Sequence, residues 1–217
     1  MDLHASAKTE SFTPGGILAD GEGLQQKVVT LPDGTAALAQ GTLLGKVLVG
    51  AAVSAAKAGG NTGAGTLTMD VVTPVLPGAK VGVYKARCVV TAGNGGTFEV
   101  EDPDGFVLGR VAVGETFQDD LKFVIADVGA DFILGDGFDI TVAAGSGKYV
   151  KSLAAATDGS QVPDAILAHD VGAADGADLE AVAIIGGSIN KDYLVLGAGH
   201  TVASIADALR VKGIYLR

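Results

Sequence analysis

The chain has no tryptophan, a single cysteine and few rings of any kind, with aromatic residues at 5%. One cysteine, Cys88, excludes an intramolecular disulfide and any zinc site built from several cysteines. It lies in the apolar run RCVV, where nothing basic argues for a reactive thiolate, so it reads as a packed thiol. Basic residues are also scarce: 15 Lys and Arg against 25 Asp and Glu, a formal net charge of −10. Such a surface repels nucleic acid and anionic membrane and argues against direct binding of either. Long apolar runs are missing too. Between Asp33 and Lys57 the only charge is Lys46, but Gly34, Gln40, Gly41, Thr42, Gly45 and Gly50 interrupt the run. A membrane-spanning helix needs about 20 predominantly apolar residues. The opening MDLHASAKTE lacks the basic start and apolar block of a secretory signal. These absences predict a soluble cytoplasmic protein.

What is present is small and aliphatic. Apolar residues reach 48%, and glycine supplies 33 of 217 positions. A chain of this length holds one large or two small domains. Its many glycines favour tight turns between short strands over long helices.

Along the chain, residues 1–14 read as an arm, with Leu3 and Phe12 its only large apolar residues and Pro14 at its end. KVVTL reads as a strand and PDG at 32–34 as a tight turn. AAVSAAKA suggests a helical turn or two, and GGNTGAG a linker. Residues 67–142 then alternate β segments with the turns PG, GNGG, DPDG, GADF and GDG, the spacing of a sandwich or barrel. GTFEVEDPDGFVLGRV reads as a hairpin within that stretch. AAGSG at 143–147 forms a second small-residue junction. Near the end, Val202, Ile205, Ala206 and Leu209 share one face at helical spacing. Arg210 and Lys212 suit the last turn of that helix, Gly213 its stop, and IYL a short strand after it. Two glycine-rich junctions around a self-contained β unit suggest an insertion. Expected boundaries are an arm at 1–14, a discontinuous core at 15–61 and 147–217, and an inserted β domain at 62–146.

No enzyme motif survives inspection. LVLGAGHTV begins like a dinucleotide turn, but the third glycine position holds Val202 and no second βαβ unit accompanies it. GTLLGKV at 41–47 has three residues between its glycines where a phosphate loop has four, and Val47 where a hydroxyl is required. GSGKY near Lys148 fails likewise. EDPDG and GDGFD lack the comb of alternating ligands that a calcium loop needs. His4, His169 and His200 have no metal-ligand spacing. A triad of His200, Ser204 and Asp207 would draw on the solvated face of an amphipathic helix. The reading is therefore a non-enzyme with no cofactor and no metal site.

FTPGGILADGEG, KVVTLPDGTAALAQGTLLGKV, TDGSQVPDAILAHDV, AVAIIGGSIN and LGAGHTVASIADALRVKGIYL occur in that order. This series resembles the bacteriophage lambda-type head decoration protein D family. The resemblance implies a mainly β fold: a small β-tulip-like core with a short C-terminal helix, carrying here an inserted sandwich- or barrel-like β domain. It implies homotrimers on the outside of an icosahedral capsid, bound to the major capsid protein and stabilising the expanded head. Localisation would be the virion surface, and the host cytoplasm before assembly. The arm would order on the capsid, with Thr13-Pro14 matching the family's Thr-Pro, and Ser11, Phe12, Thr13 and Pro14 are the expected capsid contacts. The alternative is a surface-displayed carbohydrate- or ligand-binding β module. Its weakness is the shortage of rings on which sugars stack.

Overall fold

A computed structural model describes residues 16–19 and 23–217. Strand accounts for 46% of the chain and helix for 7%, so the expected mainly β class is observed. In chain order the strands are β1 (Gln25–Leu31), β2 (Leu43–Lys46), β3 (Val49–Ala56), β4 (Thr66–Met69), β5 (Gly82–Ala92), β6 (Gly95–Glu101) and β7 (Val107–Ala112). They continue with β8 (Thr116–Gln118), β9 (Lys122–Ala126), β10 (Gly137–Ala144), β11 (Tyr149–Lys151), β12 (Pro163–Leu167) and β13 (Leu179–Ile189). A 3-10 turn, Lys191–Tyr193, and helix α1, Val202–Val211, precede β14 (Ile214–Leu216).

The strands form three sheets. The first runs β1-β13-β12-β2-β11, with β14 added in parallel to the end of β13. The second runs β3-β10-β5-β6-β7 and the third β4-β9-β8.

The centre of the first sheet carries an apolar cluster on each face, which explains its continuous apolar runs. Neighbouring residues serve opposite faces. Leu43, Ile166 and Ile184 enter one cluster with Ile205 and Leu209 of α1. Leu44, Leu167 and Ala183 enter another with Val29, Leu31 and Tyr149. Helix α1 forms where its spacing predicts. Thr201 caps its N-terminus reciprocally with Ser204, and Ile205 and Leu209 are its buried positions. Lys212 is its C-cap residue, followed by Gly213 at φ 81°.

The other two sheets enclose a separate cluster drawn from residues between Val49 and Val142. Phe98, Phe132 and Phe138 meet at its centre, with Phe98 and Phe132 edge to face at 5.0 Å. Most of the few rings are thus spent on this core.

Two local expectations are corrected. AAVSAAKA is not helical; its first six residues, Ala51–Ala56, lie in β3, which pairs antiparallel with β10. Its partner is about ninety positions away, and pairing overrides alanine's helical preference. GGNTGAG is not a loose linker. Thr62 and Gly63 donate backbone N–H groups to Asp136, and Asn61 accepts from the Gly137 N–H. A methyl group at Gly65 would lie 2.2 Å from the Phe132 ring, so glycine there permits close packing.

Candidate functional site

Most of the residues singled out for chemistry have structural employment; His4 lies outside the described residues. Gly197 packs against the chain at Ser152, where an added methyl group would lie 1.8 Å from the Ser152 carbonyl oxygen. The turn that resembles a nucleotide loop is therefore a backbone contact. His200 meets Ser152 (Nε2 to Oγ, 3.0 Å), while Ser152 is fully buried and donates to the Ser160 carbonyl at 2.8 Å. Ser204 is committed to the helix cap, and Asp207 pairs with Arg210 at 2.9 Å. His200 thus faces neither Ser204 nor Asp207 as a triad would require. The segment 41–47 contains β2, paired on both sides, and forms no loop that could cradle phosphate. His169 is exposed just beyond β12.

The acidic turns are held by backbone N–H groups and lysines of the protein itself, near and far in sequence. Asp102 accepts from the backbone of Asp104 and Phe106 and pairs with Lys80 at 2.6 Å. The Lys80 ammonium and those N–H groups hold its carboxyl below the ordinary value. Asp136 accepts from Thr62, Gly63 and Ile133. Burial pushes its carboxyl up, but the three N–H groups and Lys57 outweigh that, and the net direction is down. Cys88 is buried, and burial raises its thiol. Among the described residues no group of three His, Cys, Asp or Glu is placed to hold a metal ion.

Ser11, Phe12, Thr13 and Pro14, the expected capsid contacts, lie outside the described residues. The chain is anchored just after them. Ile17 is buried, its carbonyl accepts from Asn190, and Leu18 bridges to Ile189 at the end of β13.

A basic cavity of about 400 Å³ is the feature that sequence reasoning missed. Lys27 from β1, Lys46 from β2 and Lys212 from the α1 C-cap converge on it, with Tyr149 and Asp164. Lys212 pairs with Asp164 at 2.6 Å, and the Tyr149 hydroxyl donates to the same carboxylate at 2.7 Å. Burial pushes the Asp164 carboxyl up, but Lys212, the Tyr149 hydroxyl and Lys46 together bring it below its ordinary value. Burial and that carboxylate push the Tyr149 hydroxyl up to about 12. Lysines at 27, 46 and 212 carry no local signal; only the fold gathers them.

This arrangement offers charge and surface, not a reacting centre. A family model described as bacteriophage lambda head decoration protein D matches residues 7–214. The chain belongs to the bacteriophage lambda head decoration protein D family. Membership brings a structural, capsid-decorating role and a place on the virion. No curated protein matches the chain. Among solved structures, crystal structures of Xanthomonas campestris FlgL in space groups H3 and C2 align at 20% and 21% identity, with TM-scores of 0.32 and 0.31. The alignments cover 50% and 49% of this chain but only 34% and 33% of FlgL, so the chain spans about a third of that protein. Similarity at this level transfers neither fold nor function to a decoration-family chain.

Proposed function

We propose that the protein binds as a homotrimer to the outside of an icosahedral phage head, on the major capsid protein, and stabilises the expanded shell. It waits in the host cytoplasm until assembly. The family match over residues 7–214 carries this reading. Cementing needs adhesion, rigidity and symmetry, and no active site. Cyclic closure of three copies limits growth. Three arms per trimer make the contact multivalent, so each one can be weak. We assign the first contact to Ser11, Phe12, Thr13 and Pro14 of the arm, with Phe12 as apolar anchor. An extended arm of this kind adds a strand to an edge of its partner.

We also propose that the chain is a long form of the family with an inserted β domain, bounded at 49–144 rather than 62–146. Pairing of β3 with β10 supports the wider limits, as does the separate cluster between Val49 and Val142. The segments entering and leaving this unit run side by side. Val47 N donates to the Lys148 carbonyl at 3.0 Å, and Gly145 N to the Leu48 carbonyl at 2.8 Å. Adjacent ends are what an insertion into a surface loop requires.

The test is co-sedimentation of the full chain with expanded heads that lack it. Saturable pelleting at a copy number near that of the major capsid protein is expected. Deleting residues 2–14 is expected to abolish pelleting without changing the thermal transition. No pelleting of the full chain would refute the decoration role; undiminished pelleting of the truncated chain would refute the arm assignment.

A further inference from the structure

The basic cavity continues into a second, apolar one. The two share Leu48, Gly159 and Val162. The second has a volume of about 430 Å³ and adds Ala79 and Val81 from the other side of the junction. Leu48, Val81 and Val162, at 54%, 49% and 51% exposed, line it with about half of each side chain open to solvent. At the basic end, Asp164 pairs with Lys212. Among the described residues Lys27 and Lys46 have no ion-pair partner. Two ammonium groups without an ion-pair partner among the described residues therefore sit beside half-exposed aliphatics on a chain of net charge −10, although Lys46 also acts on Asp164 across the cavity.

We infer that this furrow is a second docking site for the shell, taking a segment of the capsid protein that places an apolar side chain beside Leu48 and Val162 and a carboxylate between Lys27 and Lys46. The inference rests on the decoration reading and adds a contact independent of the arm. Charge complementarity selects the occupant. An acidic segment meets its opposite sign here, on a chain whose net charge is −10. The apolar end gives the segment area to bury, and the long lysine stems can cover it while their ammonium groups reach the carboxylate. Lys27 and Leu48 are exposed and Lys46 half-buried, so the furrow is open to an incoming chain.

Two variants test the two ends, Lys27→Gln/Lys46→Gln and Leu48→Ser/Val162→Ser. Each is compared with the unaltered chain by co-sedimentation with expanded heads at low and moderate salt. Thermal melting and sedimentation equilibrium of the free proteins accompany it. The expected result is binding at least tenfold weaker for both variants, with unchanged melting and oligomeric state. The lysine variant should also lose much of the salt dependence of binding. Binding equal to that of the unaltered chain overturns the proposal. So does a changed oligomeric state with capsid binding retained, because the furrow would then hold a second copy of the chain. If the unaltered chain itself fails to pellet, the decoration reading falls, and the capsid segment with it.

Discussion

Replacing Asp136 tests how the second core is held together. The side chain is 3% exposed and accepts three backbone N–H groups: Thr62 at 2.9 Å on Oδ1, Gly63 at 2.9 Å and Ile133 at 3.1 Å on Oδ2. These bonds tie the 61–63 segment to the turn before β10. Asp136→Asn keeps the shape. Its carbonyl oxygen can replace Oδ2 and keep two bonds, but its amide then faces the Thr62 N–H, donor against donor. Losing one bond and the charge assistance on the others should cost about 2–4 kcal/mol. At roughly 2–4 °C per kcal/mol for a chain of this size, that lowers the melting temperature by roughly 4–16 °C. Asp136→Ala leaves all three donors without a partner and should cost about 4 kcal/mol or more.

Acid titration gives an independent readout at the same residue. The folded Asp136 carboxyl titrates below its ordinary value, so the native state binds fewer protons there than the unfolded chain. Its contribution is fully present above the unfolded pKa of about 4 and is lost as pH falls through the lower folded value. Calorimetry of Asp136→Asn against the unaltered chain should therefore show the largest gap near neutrality and a narrowing gap below about pH 4. An Asp136→Asn protein that melts with the unaltered chain across this range would refute the account of the carboxylate as the tie between these segments.

Gly197→Ala should destabilise the chain by about 3 kcal/mol or more, because the new methyl group meets a backbone carbonyl and not a movable side-chain end; a denaturant midpoint within error of the parent's would contradict that packing. Asp127 gives the opposite sign. Both its carboxylate oxygens are buried without a hydrogen-bond partner among the described residues. Asp127→Ala should leave stability unchanged or raise it by about 1–3 kcal/mol in urea melts, and a clear loss would mean that the carboxylate has a partner.

Legibility in the sequence followed the range of the interaction. Helix α1 is legible directly because its evidence is local: apolar spacing from Val202 to Leu209, with Arg210, Lys212 and Gly213 marking its end. The hairpin of β6 and β7 was equally plain, since its strands are joined by the EDPDG turn. β3 is not legible locally because its alanine-rich residues favour helix, while its structure is decided by pairing with β10. The glycines at 63 and 65 look like flexibility and act as clearance for Phe132. The site was the least legible part. Adjacent leucines such as Leu43 and Leu44 announce burial, but nothing near Lys27 or Lys46 announces Lys212.

The same contrast bears on why the chain carries so few basic residues. Screening at physiological salt confines electrostatic effects to about 8 Å, so a net charge of −10 acts chiefly when two surfaces are close. Two copies approaching in random orientation then repel on net. A partner presenting a carboxylate to the furrow meets Lys27 and Lys46 within that range, in a recess where solvent screens less than on an open face. Sparse, gathered positive charge on an acidic body thus opposes indiscriminate self-association and favours one orientation of docking at the same time. A more evenly mixed surface of equal net charge would do the first and not the second.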